Sequence, residues 1–260
     1  MLLLYLALTV LAGCATDTEP VPAPVGGVIS MHFESALANG TANEMSTRAD
    51  DAVLTYVFEA WTHDANPRCV LHKTVTGIVS EAAIEIRLVP GDYDFLFWAD
   101  SGKGHYATDN LRQVTATTAY MPAVVSERDA FACARPGVTW TGGNSMSATL
   151  VRPLAKLTVQ NDAEFVSGGK AVSVLYRNIP TRYDVLTGKT SVPADATLSF
   201  PATTAGSAAV GEDFLFVPSD EDRSVGLEIT VGEDVDAVTK KLDKLPLRPN
   251  YKIRVTAAFE

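Results

Sequence analysis

The chain has 260 residues, 47% of them hydrophobic, and a formal net charge of −10. Its Lys and Arg are scattered rather than grouped, which excludes the phosphate-neutralising surface that nucleic-acid binding requires. No stretch beyond the first dozen residues approaches the roughly 20 apolar residues of a membrane span, and the length suits one large or two ordinary domains.

Met1 to Leu11 is a run of Leu, Ala, Val, Tyr and Thr that leads into Leu11-Ala12-Gly13-Cys14. An apolar core of roughly 7–15 residues closed by small residues is a secretory signal. A Cys directly after Leu-Ala-Gly resembles a bacterial lipobox. On that reading residues 1–13 are removed and Cys14 becomes the first mature residue, carrying palmitate-type acyl chains on its thiol and amine. Several acyl chains anchor stably, because each buried CH₂ contributes about 0.8 kcal/mol. A short transmembrane anchor is the other reading, and the run is too short for it. No Lys or Arg precedes the apolar core, which fits a start a few residues upstream. Residues 14–27 then read as a tether: Pro20, Pro22 and Pro24 favour an extended polyproline conformation, which Gly26-Gly27 ends.

From residue 28 onward the pattern is that of short strands. Val28 to Phe33 is the first, with Ile29, Met31 and Phe33 on its more apolar face. In Val53 to Trp61, Leu54, Tyr56, Phe58 and Ala60 share a face. Ile84, Ile86 and Leu88 alternate with Glu85 and Arg87, Pro90-Gly91-Asp92 supplies turn chemistry, and Tyr93 to Trp98 is apolar on both faces except at Asp94. These last two segments predict a buried antiparallel hairpin. Residues 101–136 are least regular, with a strand expected over Val114 to Tyr120. Thr139 to Ser147 is small and polar around Gly142-Gly143 and marks the expected boundary, giving one domain over 28–147 and a second over 148–260.

In the second half Ala148 to Gln160 is strand material interrupted by Pro153, which suits a strand that changes sheets. Ala171 to Tyr176, Phe214 to Val217, Val225 to Val231, Ala237 to Leu242 and Asn250 to Phe259 complete the set, with a hairpin turn at Gly232-Glu233-Asp234. No long amphipathic helix is evident. The expected class is all-β, two tandem β-sandwiches.

Five segments in order carry a resemblance: PGDYDFLFWAD (Pro90 to Asp100), RDAF (Arg128 to Phe131), LVRPLAKLTV (Leu150 to Val159), NIPTRYDVLTGK (Asn178 to Lys189) and LRPNYKIRV (Leu247 to Val255). Behind a lipobox they resemble the fimbrillin-like lipoproteins of Bacteroidales, the group related to type V pilins and their accessory subunits. Asp17 and Glu19 after Cys14 resemble the acidic export signals of surface lipoproteins in that phylum. The resemblance implies two transthyretin-like, fimbrillin-type sandwiches and a lipid-anchored place on the outer membrane, surface-exposed, or in a fimbrium. It also implies, for polymerising members, cleavage after an Arg that frees a groove for a strand of the next subunit, a form of strand addition. Arg48 stands where such processing would fall. Taken alone it reads as an ordinary exposed loop arginine. The chain stops at Ala258-Phe259-Glu260 without the donor tail of stalk pilins, which favours a tip or accessory subunit, or a surface protein that does not polymerise and binds a glycan or host protein.

Chemistry of other kinds finds little footing. Beside Cys14, Cys69 and Cys133 form a candidate disulfide in an oxidising compartment, two separate thiols being the alternative. His63, Cys69 and His72 lie close in sequence but lack the second ligand pair of a zinc site. Asp220-Glu221-Asp222 and Glu233-Asp234-x-Asp236 do not follow a calcium-loop pattern. No nucleophile elbow, P-loop or dinucleotide fingerprint occurs, so no catalytic residue, metal or cofactor is assigned and the expectation is not an enzyme. Trp61 and Trp140 remain candidates for a sugar-binding patch.

Overall fold

A computed structural model describes residues 22–34, 53–78, 82–117, 125–143, 145–162 and 167–260. Sixteen strands run in order: β1 (Val25–Glu34), β2 (Val53–Thr62), β3 (Cys69–Ile78), β4 (Ala83–Leu88), β5 (Gly91–Asp100), β6 (Tyr106–Ala107), β7 (Val114–Ala116), β8 (Ala130–Trp140), β9 (Ser145–Val151), β10 (Leu154–Asn161), β11 (Val172–Asp184), β12 (Lys189–Phe200), β13 (Ala209–Phe216), β14 (Ser224–Val231), β15 (Val238–Pro246) and β16 (Lys252–Ala257). Among the described residues the helical elements are short 3-10 turns, and no helix is long and apolar enough to cross a membrane.

The first half forms one seven-stranded sheet in the order β3-β2-β5-β8-β9-β1-β4. It bends at β8–β9, where Ala132 and Val151 are the paired residues, so that β9-β1-β4 faces β3-β2-β5-β8 across a core of Ile29, Tyr56, Phe58, Ile84, Phe95 and Leu150. The two outer edges nearly meet. Lys73 of β3 donates its ammonium to the Glu85 carbonyl of β4 at 2.7 Å. A cation at this place also makes the edge a poor template for another strand.

The second half repeats the same order. β13-β10-β16 corresponds to β4-β1-β9, and β12-β11-β14-β15 corresponds to β3-β2-β5-β8. In both, the first strand lies parallel to the last (β1 with β9, β10 with β16) and antiparallel to the fourth. Its core is built from Leu157, Val174, Tyr176, Leu198, Leu215 and Leu227.

Two sequence expectations need revision. β4 and β5 are not a hairpin: β4 pairs with β1, and β5 pairs with β2 and β8. The turn at Pro90 therefore carries the chain across the core from one layer to the other. The chain also stays in the first sheet beyond Ala148, because Met146, Ala148 and Leu150 of β9 alternate inward. It changes sheets at Arg152-Pro153, where Pro lacks the N–H a ladder would need. The Gly142-Gly143 turn, placed at a boundary, instead joins β8 to β9.

β5 is apolar on both faces for a structural reason. Phe95 and Phe97 enter the first core, while Leu96 and Trp98 join Phe214 and Phe216 in a third cluster between the halves. The segment from β6 to β7 belongs to this junction. β7 pairs with the end of β11, and Tyr106, Leu111 and Val114 pack beneath it. Trp98 meets Tyr106 edge-on with ring centroids 5.2 Å apart.

Candidate functional site at the slot of the first strand

β1 occupies the middle of its layer. Val28 to Glu34 run parallel to Ser145 to Val151, and Val25 to Ser30 run antiparallel to Leu88 to Ala83. Period-2 alternation places Ile29 and Met31 in the core at 0% and 3% exposure, with Val28 and His32 exposed. The predicted inward face is the observed one for both residues. The strand is clamped at its start by the β8–β9 turn: Gly143 donates its N–H to Gly26 O at 2.7 Å, and Trp140 Nε1 donates to Val25 O at 3.3 Å. Gly142 has φ of +81°, and a Cβ there would run into the Val25 side chain. With β1 absent, the facing edges of β4 and β9 would each carry unpaired main-chain donors and acceptors next to an unfilled core.

The two halves are joined by buried charge as well as by rings. Arg152, at the sheet crossover, forks onto Asp129 with Nε–Oδ1 at 2.6 Å and Nη2–Oδ2 at 2.8 Å, and its Nη1 donates to Asn250 Oδ1 at 2.9 Å. Arg128 Nε donates to Asp213 Oδ1 at 2.7 Å, and the Tyr176 hydroxyl donates to Asp213 Oδ2 at 3.1 Å. Burial, reinforced by the Asp213 carboxylate, pushes the Tyr176 phenol well above its ordinary range. Burial likewise raises Tyr106 and pushes Tyr183 up to about 12. A buried pair of this kind is costly to break by removal of one partner, because the other charge is left in the interior.

The candidate residues of the sequence fall as follows. Cys14 and Arg48 lie outside the described residues. Cys69 and Cys133 are free thiols in β3 and β8. β2 and β5 lie between those strands, a separation of about 14 Å at normal strand spacing and beyond what a disulfide spans. The proposed pairing is therefore not formed in this fold. Burial raises both thiols above the ordinary range, the reverse of an activated nucleophile. His63 Nδ1 sits 2.6 Å from Asp94 Oδ1 and His72 Nδ1 2.9 Å from Glu59 Oε1. They are thus held apart in two separate pairs, and among the described residues no group of three or more His, Cys, Asp or Glu is arranged to hold a metal. Trp140 is a core residue at 2% exposure, which removes it as a surface platform. Trp61 donates to Glu59 and lies under the Arg112 guanidinium. What sequence reasoning missed is the buried Arg–Asp network, although three of the resemblance segments contain its members Arg128, Asp129, Arg152 and Asn250.

The all-β fold is similar to that of several solved structures from Bacteroides. A candidate adhesin from Bacteroides ovatus superposes with a TM-score of 0.54 at 10% identity, over 90% of this chain and 87% of that one. A second candidate adhesin from the same species, strain ATCC 8483, gives a TM-score of 0.50 at 12% identity over 95% and 98% of the two chains. A candidate polysaccharide-binding protein from Bacteroides thetaiotaomicron gives 0.53 at 12% identity over 80% and 76%. At these identities the likeness is one of fold. Residues 24–259 match the family of unknown function DUF6562, and the chain belongs to that family. No curated protein matches it.

Proposed function

We propose that the protein is a lipid-anchored adhesin-type subunit of the bacterial outer surface, a tip or accessory component of a fimbrium that takes up a strand from a partner subunit in the slot of β1. It acts by binding and assembly, not as an enzyme. Its two seven-strand units serve as tandem sandwiches of the transthyretin-like kind, a reading supported by their common strand order. The observation that carries the assembly reading is the position of β1: a ten-residue strand in mid-layer, with Ile29 and Met31 filling the core. The lipobox at Cys14 supports the anchor, and the fold shared with candidate adhesins supports the surface role. Cleavage after Arg48 would leave β1 held by non-covalent contacts alone, so that an incoming strand with apolar residues at alternate positions could displace it together with the Cys14 anchor, the subunit being lipid-anchored before that exchange and held by the partner's strand after it.

The test is made on the full chain with a specific protease site replacing residues 46–50. After cutting, a labelled peptide of sequence 25–34 should exchange into the protein and raise its melting temperature by mass action. A cut protein that keeps its melting temperature and takes up no peptide would refute assembly through this slot. Mass spectrometry of the native N-terminus should find acylated Cys14 or a start at Ala49. A second reading, a monomeric surface lipoprotein that binds glycan, is favoured by one observation, a groove of the second half lined by Asn178, Thr190, Ser191 and Ser219.

A further inference from the structure

The start of β12 is stitched to the loop that precedes β14. The Thr190 hydroxyl donates to Val217 O at 2.8 Å, and its N–H donates to Ser219 Oγ at 2.7 Å. The stitch forms a sill between two basins that share Thr190, Pro218 and Ser219. The first, of about 370 Å³, presents Tyr183, Thr187, Lys189 and Arg223. The second, of about 380 Å³, presents Asn178, Ser191, Asp220 and Asp222.

The two basins differ in their charge. Arg152 also lines the first basin, but its guanidinium is taken by Asp129 and Asn250. Lys189 and Arg223 have no ion-pair partner among the described residues, in a chain of net charge −10. In the second basin Asp222 is held by Lys244 at 2.7 Å, and Asp220 accepts the Arg223 N–H at 2.8 Å. From the first basin to the second the polarity runs from cationic to anionic across the hydroxyl sill.

The walls are stiff. Pro153, Pro218 and Pro249 border the first basin, and Pro180 and Pro193 the second. Asn178 of the second basin, Arg223 of the first, and Val192, which lies between Ser191 and Pro193 of the second, are three of the five non-glycine residues with positive φ among the described residues, at 56°, 44° and 55°. A β-branched residue such as Val192 rarely adopts this conformation, and such outliers concentrate where a surface is shaped for contact. The same Val192-Pro193 step spoils the free edge of β12 for a docking peptide strand, since Pro offers no N–H.

We propose that this groove binds an acidic oligosaccharide, a carboxylate- or sulfate-bearing unit resting against Lys189 and Arg223 and the hydroxyls of the adjoining unit against Asn178, Ser191 and Asp220. The inference names the ligand class of the glycan-binding reading and is independent of strand addition, because the slot of β1 lies in the other half. Hydroxyl, amide and carboxylate groups suit sugar hydroxyls, flat pyrrolidine rings suit the C–H faces of sugar rings, and unpaired cations suit the anion.

The test is isothermal titration of the uncut full chain with four probes: a galacturonate trimer, a sulfated chondroitin tetrasaccharide, maltotriose and hexaglutamate. One of the two acidic saccharides should bind at least about tenfold more tightly than maltotriose and hexaglutamate, and more weakly as salt rises. Which one binds identifies carboxylate or sulfate. Lys189→Ala and Arg223→Ala should each weaken binding about fivefold or more and together abolish it, while Lys240→Ala on β15 leaves it unchanged. Because both targeted side chains are exposed, the melting curve of each variant should match the parent. No binding of either acidic saccharide, binding that survives the double substitution, or hexaglutamate binding as tightly as the saccharide would each overturn the proposal.

Discussion

Replacing Arg152 by Met tests whether the buried Arg152–Asp129 fork acts as one stabilising unit at the junction of the two halves. The Arg152 side chain is 0% exposed and that of Asp129 2% exposed, so both ions are fully desolvated. Removing the guanidinium takes away both bonds of the fork and the stacking on Phe131, whose ring centroid lies 4.9 Å from the Arg152 Cζ. Met fills much of the same space, so the loss is mainly that of a buried carboxylate deprived of its cation, about 3–5 kcal/mol. For a chain of this size that corresponds to a fall in melting temperature of about 6–20 °C. The cycle is closed with Asp129→Leu and the double variant, measured by urea denaturation. If the fork acts as a unit, the double variant should be more stable than the sum of the single effects by about 2 kcal/mol. A single substitution costing under about 1 kcal/mol, or strictly additive effects, would refute the argument.

Other expectations follow from the same geometry. Met31→Asp should destabilise the uncut protein by several kcal/mol, because it places a lone carboxylate in the first core; a thermal melt decides it. Gly142→Ala should lower stability and speed amide exchange at β1 above all other strands, since the new methyl collides with Val25 where β1 begins. The raised phenols of Tyr106, Tyr176 and Tyr183 mean that the folded chain retains protons the unfolded chain releases above about pH 10. Stability should therefore fall as pH rises beyond 10, read as a declining urea midpoint, and Tyr176→Phe should make that decline shallower. Cys14→Ser should abolish fatty-acid labelling; persistent label would exclude the lipidation site.

The inward faces of β1 and β4 were legible from alternation alone, because Ile29 and Ile84 belong to strands with one wet face; in β2 the face of Leu54 was legible too, but not that Val57 and Glu59 on the opposite face are also buried. The double burial of β5 was legible too, but not its cause, since nothing local distinguishes a junction between halves from a central strand. The supposed hairpin at Pro90 failed because turn chemistry marks a change of direction and not a choice of partner. β3 escaped notice because, as an edge strand, it half-buries Leu71 and Val75 and exposes Val70, which blurs the period. The slot of β1 rests on parallel pairing with a strand more than a hundred residues away, and the groove at Thr190 on a loop meeting β12. Contacts of such separation leave no periodic trace. The buried fork of Arg152 left only a faint one, as charged residues inside otherwise apolar segments.

The parallel pairing of β1 and β9 has a mechanical consequence. A pull on the chain preceding Val25 enters the fold at the start of β1, and a load on the second half reaches β9 at its end, through Arg152-Pro153 and β10. Parallel neighbours drawn from opposite ends slide along their common axis, so the pairs from Val28–Ser145 to Glu34–Val151 resist together instead of opening one after another. A protein tethered through its N-terminal side and gripped through its second half would bear tension in shear, the geometry in which a sheet yields last.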